Sequence, residues 1–223
     1  MIMHNIMIGT PAYGGMVHID FVNSILPLQN TGVNFSVVFI GNQSLITRAR
    51  NDIFSLFVSD IGEAFSHLLF LDADMGVRPE HIKQLLEHDK PLIAMGVPLK
   101  GFREDGGLFF NVGEVLEQED NNLVSVDKVG TAVMAIRRDL ALELKEWAIQ
   151  NDRVYYKKKN KQLNNVRQDS EGEQYNVFDV GIYDGEYLSE DFYFCRVVKQ
   201  LGHKVYVDSS IPTRHNANYV FAS

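Results

Sequence analysis

The sequence predicts a single-domain α/β fold: a mostly parallel sheet flanked by helices, with a small antiparallel part in its second half. Three observations carry this. Short apolar runs alternate with helical stretches through the first hundred residues, the pattern of βαβ units. The runs Ser66 to Leu71 (SHLLFL) and Pro91 to Val97 (PLIAMGV) lack polar–apolar alternation, as strands covered on both faces do. The 223 residues, 45% hydrophobic and 22% charged, suffice for one core, and no repeat, low-complexity tract or linker divides them.

The elements follow in order. Asn5 to Gly9 reads as a buried first strand ending in a Gly-Thr-Pro turn. His18 to Leu28 carries Ile19, Phe21, Val22, Ile25 and Leu26 at near-helical spacing. Asn34 to Ile40 is a second strand, stopped by Gly41-Asn42. Ser44 to Phe57 reads as a helix with Ser44 as N-cap, and with Leu45, Ala49, Ile53, Phe54 and Phe57 on one face. Ser66 to Leu71 is the third strand, Pro79 to Glu87 a helix with proline near its start, and Pro91 to Val97 the fourth strand. Beyond residue 100, Leu108 to Leu116 and Leu123 to Arg137 read as strands around an acidic, Asn-rich turn, followed by a helix from Asp139 to Ala148. Asp152 to Gly185 is polar and reads as a hairpin or long loop, a kind of segment that often serves as a lid or binding loop. Ser189 to Gln200 is a helix capped by Ser189, and Lys204 to Asp208 a last strand.

Bulk properties narrow the function classes. The net charge of −8 argues against broad, sequence-blind nucleic-acid binding. One cysteine, Cys195, excludes an intrachain disulfide framework and fits a reducing compartment. The apolar N-terminus lacks a basic flank and is too short for a signal peptide, and no apolar run reaches membrane-spanning length. A cytoplasmic protein is the expectation.

Four constellations carry chemistry. Asp72-Ala73-Asp74 follows directly on the third strand, and ligands of open α/β sheets bind at the carboxyl ends of strands. Two carboxylates so close repel unless a cation lies between them, and a divalent ion there would bridge a diphosphate as a Lewis acid. An Asp-x-Asp alone is an ordinary turn; its place between a buried strand and a proline-initiated helix favours the functional reading. Ser189-Glu190-Asp191-Phe192 opens the last helix. Capping suffices to account for Glu190, whereas Asp191 is the better candidate for a general base or an acceptor-binding carboxylate. His215, in Pro212-Thr213-Arg214-His215, reads in isolation as a solvated residue, yet an imidazole after a strand end also completes metal sites begun by carboxylates. Arg48 and Arg50, in Thr47-Arg48-Ala49-Arg50-Asn51, fit a solvated helix face and a phosphate clamp equally well.

In this order the pieces resemble the GT-A glycosyltransferases, in particular the family 2-like group and its small bacterial and phage-encoded relatives. The resemblance runs from Thr10 to His215. It passes through Ala49-Arg50-Asn51, Leu71 to Asp74, Val129-Gly130-Thr131-Ala132, Ile136-Arg137-Arg138, Glu190-Asp191 and His215. It implies one GT-A (Rossmann-like) domain over 1–223, with 1–100 as the nucleotide-sugar-binding half and 101–223 as the acceptor-binding half. It implies further that Thr10, Pro11 and Tyr13 line the nucleotide pocket, and that Arg48 or Arg50, beside Asn51, neutralises the diphosphate or holds Asp72. Asp72, with Ala73, would contact the ribose or, through water, the metal. Asp74 and His215 would ligate the metal directly. Gly130 and Thr131 would lie under the sugars, Lys100 would meet a phosphate or sugar hydroxyl, and Asp191, with Glu190 beside it, would be the catalytic carboxylate. A mixed oxygen and imidazole shell suits Mn²⁺ better than Mg²⁺.

The expected activity is transfer of a sugar from a nucleoside diphosphate, most simply a UDP-sugar, to a hydroxyl. The acceptor is a glycan, a lipid-linked sugar, a protein or a modified nucleic-acid base. Lys157 to Lys161 with Tyr155 and Tyr156 would suit a phosphate backbone or a base, although a solvated loop is the simpler reading. One alternative is a sugar-nucleotide nucleotidyltransferase. Its relatives carry a basic Gly-rich first loop, whereas Gly9 to Gly15 here holds no Lys or Arg. The other alternative is a non-catalytic nucleotide-sugar-binding module.

Overall fold

The computed structural model describes residues 4–120, 122–157, 172–217 and 220–222. Eight strands form the central sheet: β1 (Asn5–Ala12), β2 (Asn34–Gly41), β3 (His67–Leu71), β4 (Leu92–Met95), β5 (Val115–Gln118), β6 (Leu123–Val126), β7 (Val133–Arg137) and β8 (Val205–Asp208). Their spatial order is β2-β1-β3-β7-β4-β8-β6-β5. β1 pairs in parallel with β2 and β3, and β4 with β8, while β7 and β6 run antiparallel to their neighbours. Six of the eight strands therefore point one way, with β6 and β7 reversed. The predicted mostly parallel sheet is the one observed.

Five helices cover it: α1 (Ile19–Ile25), α2 (Ile46–Phe57), α3 (Pro79–Glu87), α4 (Arg138–Gln150) and α5 (Glu190–Gln200). Side chains alternate across a strand, so β3 divides its run between two cores. Leu68 and Phe70 join α2, α4 and α5 through Ile53, Phe54, Leu144 and Phe194. Leu69 and Leu71 join α1 and α3 through Phe21, Ile82 and Leu85. All five β3 residues are buried, which is why the run shows no alternation. On α2 the residues Ala49, Ile53, Phe54 and Phe57 recur at helical spacing and all are buried. That helix lies so close to β1 that a Cβ on Gly9 would stand 2.3 Å from Ile53 Cγ2.

Several local expectations are corrected. β1 does not turn at Gly9-Thr10-Pro11 but continues to Ala12, paired with β2 alone once β3 has ended, where a proline without an N–H is tolerated. Ser44 is not the cap of α2: Leu45 holds that position, no side chain caps the helix, and Leu45 is exposed instead of sharing the buried face. α1 stops at Ile25, and a short 3-10 turn, Leu28–Thr31, follows. Leu123 to Arg137 is two strands from different places in the sheet, and Leu108 to Leu116 divides into a Leu108–Phe110 strand and part of β5. The Leu108–Phe110 strand pairs with Pro98–Phe102 in a hairpin beside the sheet. The Asp152 to Gly185 region supplies two hairpins, Val154–Lys157 with Gly172–Tyr175 and Gly181–Tyr183 with Glu186–Leu188. Lys158 to Lys161 lie outside the described residues. Lys157 pairs with the buried Asp52 at 2.7 Å, so it is a structural contact.

Candidate functional site

The Asp72-Ala73-Asp74 turn leaves β3 at the carboxyl edge and is held at its backbone by three distant segments. Asp72 N–H donates to Ala132 O at 2.9 Å, and His18 N–H to Ala73 O at 2.7 Å. Asn216 donates twice to Asp74 O, from its main chain at 2.9 Å and from Nδ2 at 3.0 Å. The turn is thus pre-formed, with its carboxylates aimed by the framework.

Arg50 lies under it. Its guanidinium donates to both Asp72 oxygens, at 3.1 and 3.0 Å, and through Nε to Glu190 Oε1 at 3.4 Å. Only 4% of the Arg50 side chain is exposed, and the group lies 5.3 Å over the Phe70 ring. Burial pushes the Asp72 carboxyl above its ordinary value and the Arg50 guanidinium pulls it down. Both oxygens accept from the one guanidinium, a bidentate ion pair that opposes the rise. Burial likewise raises the Glu190 carboxyl, against the pull of Arg50. Of the two arginines that the sequence offers for holding Asp72, Arg50 is the one that reaches it. Arg50 holds Asp72, whereas Arg48 is exposed and forms no ion pair with a described residue.

Asp74 is the second focus. Lys100 Nζ stands 2.5 Å from its Oδ2, and His215 Nε2 stands 3.4 Å from the same oxygen. Burial alone would raise this carboxyl, but hydrogen bonds from His215 and Lys100 outweigh it and hold the group at about 2. His215 Nδ1 donates to Pro98 O at 2.7 Å, which turns Nε2 toward Asp74 Oδ2. Nε2 donates to that carboxylate when it carries a proton, and without that proton its lone pair and Asp74 would suit a cation between them. Both Asp72 oxygens accept from Arg50, so a cation at this rim would meet Asp74 and His215 as the protein groups without a bidentate partner. Among the described residues no cluster of three or more His, Cys, Asp and Glu is close enough to hold an ion. The remaining ligands of a divalent ion would be diphosphate oxygens and water, which the partly exposed rim at Asp74 admits.

Across Arg50 stands the start of α5. Ser189 occupies the N-cap position, but its hydroxyl bonds the Asp191 carboxylate and caps no backbone group. Asp191 Oδ1 also accepts from Phe192 N–H at 2.8 Å. Its Oδ2 makes no hydrogen bond with a described residue, and the side chain is half-buried. Glu190 is the opposite case. It is tied to Arg50 and only 14% of its side chain is exposed.

The other sequence candidates divide. Thr10 and Thr131 are buried, and neither hydroxyl has a hydrogen-bond partner among the described residues. Tyr13 stands 75% exposed just past β1, beside the half-buried Pro11. Asn51 spends its amide on the framework. Its amide donates to Asn176 Oδ1 and Phe178 O and accepts from Val177 and Phe178 N–H, all at 2.8 to 3.0 Å. It clamps the segment that places Phe178 against Phe194, with ring centroids 4.4 Å apart. Gly130 is a glycine because of packing: a Cβ there would meet Asn111 Nδ2 at 2.5 Å. Sequence reasoning missed the Asn216 clamp and the Lys100–Asp74 pair. The only signal for Asn216 is its place directly after His215.

No protein-family model matches the chain, and no curated protein sequence matches it. Solved structures do. A197 from STIV overlays with a TM-score of 0.58 at 15% identity, over 96% of this chain and 86% of that one. An apo UDP-glucose pyrophosphorylase gives 0.40 at 8% identity, and S. aureus TarS 1-349 gives 0.35 at 16%. The chain covers 59% and 50% of those two proteins, so their overlap is partial. Near-complete coverage of A197 establishes a shared fold at low identity, with the mostly parallel α/β sheet that the sequence predicts. No helix among the described residues is long and apolar enough to cross a membrane.

Proposed function

We propose that the chain is a metal-dependent glycosyltransferase that moves a sugar from a nucleoside diphosphate, a UDP-sugar in the simplest case, to a hydroxyl acceptor. One observation carries the reading. The Asp72–Asp74 turn is locked at the carboxyl edge of the sheet, with Asp74 and His215 turned to one point and Asp191 presenting a free oxygen across Arg50. Asp74 and His215 would hold the cation, Mn²⁺ by preference, whose chemistry is Lewis-acid stabilisation of the leaving diphosphate. Asp72, fixed by Arg50, faces the ribose. Asp191, oriented by Ser189 and the Phe192 N–H, takes the acceptor proton as the hydroxyl attacks in an inverting reaction. The absence of Lys and Arg from Gly9 to Gly15 favours this over nucleotidyl transfer.

The test is a donor panel read by nucleotide release, with and without Mn²⁺. The expected result is Mn²⁺-dependent release of a nucleoside diphosphate from one sugar donor. Pyrophosphate release from a nucleoside triphosphate and a sugar phosphate would replace the reading with nucleotidyl transfer. Donor binding without turnover on any acceptor would reduce it to a binding module.

A further inference from the structure

Lys100 sits where the cation belongs. Its ammonium lies 2.5 Å from Asp74 Oδ2, the same oxygen that His215 Nε2 faces at 3.4 Å. A divalent ion and an ammonium cannot share one carboxylate oxygen at such distances without strong repulsion. An ion that binds Asp74 must therefore displace Lys100. The lysine is built to leave: it lies in the Pro98–Phe102 strand of the exposed hairpin, with 41% of its side chain accessible and no second partner among the described residues. Its anchor is not mobile in the same way, because Pro98, two residues earlier, is buried and receives the His215 Nδ1–H. The displaced ammonium thus stays tethered at the rim of the site, where it meets a diphosphate oxygen carried in with the ion.

We propose that Lys100 is a tethered cation that occupies Asp74 in the free protein, competes with the divalent ion, and transfers to the donor diphosphate when ion and donor bind. The proposal rests on the donor-site reading above and deepens it. It makes metal and nucleotide binding mutually dependent. The ion alone must work against Lys100, whereas ion and diphosphate together give the lysine a new partner.

Two measurements test this without turnover. Mn²⁺ is titrated into the wild-type chain and Lys100→Gln without nucleotide, with the free ion followed by its paramagnetic resonance signal. The pair is more than one-third exposed, so solvent screens it, and its loss should tighten Mn²⁺ binding by roughly 2- to 5-fold. Equal or weaker binding in Lys100→Gln overturns the competition. So does an absence of Mn²⁺ binding in both proteins, and a UDP titration in Mg²⁺ then tells whether the donor-site reading survives alone. In the second measurement, acetic anhydride labelling of Lys100 in the wild-type chain is quantified by mass spectrometry with and without Mn²⁺. Lys100 labelling should rise several-fold with Mn²⁺ while Lys204, held by Glu117 and Glu119 far along the chain, stays constant. Unchanged Lys100 labelling at saturating Mn²⁺ refutes the displacement even if the affinities differ.

Discussion

Replacing Arg50 by methionine removes a cation that two half-buried carboxylates share. Asp72 and Glu190, with side chains 23% and 14% exposed, would face each other's charge with no partner. Breaking a buried ion pair costs about 3–5 kcal/mol, and the partial exposure of both acids places this case near 3 kcal/mol. With an m-value of about 2 kcal/mol/M, the urea midpoint at pH 7.5 should fall by roughly 1.5 M. The pH dependence carries the diagnosis. Burial already raises both carboxyls in the wild-type chain, and losing Arg50 raises them further. An acid whose folded pKa lies above its unfolded one favours the folded state when protonated, so the variant should regain stability as the pH falls from 7.5 to 5.0. Adding Asp72→Asn should recover part of the loss at pH 7.5, and Arg50→Lys should lose less than Arg50→Met. An unchanged midpoint for Arg50→Met, or an equal deficit at both pH values that Asp72→Asn does not relieve, would refute the account of Arg50 as the shared counter-ion.

Other outcomes follow from the same geometry. Asp74→Asn should lower Mn²⁺-dependent donor hydrolysis by at least about 100-fold, and wild-type-like hydrolysis would remove Asp74 from the metal site. Asn51→Leu leaves the 176–178 backbone groups without their clamp and should cost about 3 kcal/mol in urea unfolding, with UDP affinity of the folded protein unchanged. Lost UDP affinity at full stability would return Asn51 to the ligand site. Burial, aided by the neighbouring His4, lowers the His67 imidazole from 6.5 to about 4. Below pH 6.5 the unfolded chain therefore takes up a proton that the folded chain refuses. His67 should cost about 3 kcal/mol of stability between pH 6.5 and 4, at about 1.4 kcal/mol per unit, and none above pH 7. His67→Phe should flatten that part of the stability–pH curve, and parallel curves for the two proteins would contradict the shift. Gly130→Ala, which drives a methyl into Asn111, should cost about 1–3 kcal/mol, read from thermal unfolding.

The fold class was legible because burial writes itself into local order. Leu68 to Leu71 could be read as a strand covered on both faces before the two cores were known, and Ala49, Ile53, Phe54 and Phe57 as one helix face, since each pattern depends only on the period of its own element. Asp72 and Asp74 were legible for the same reason: position relative to a strand end is a local property. Leu123 to Arg137 misled although Asp127-Lys128 and Gly130 interrupt its apolar residues, because such an interruption reads equally as a bulge within one strand or as the gap between β6 and β7. In that gap Gly130 packs against Asn111 and donates its N–H to Asn111 O at 2.8 Å, a contact from another part of the chain.

The polar partnerships belong to the tertiary structure. Arg50 finds Asp72 22 residues away and Glu190 140 away, Lys100 finds Asp74 across 26, and Asn51 finds Phe178 across 127. A sequence names such groups but cannot say which donor reaches which acceptor, because a hydrogen bond needs placement within a few tenths of an ångström and that placement comes from the packing of both cores at once. So the sequence alone decided that carboxylates, a histidine and basic side chains gather at the carboxyl edge of a mostly parallel sheet. Only the folded chain decided that Arg50 secures Asp72, that Asn51 belongs to the framework, and that Asp74 stands between Lys100 and His215.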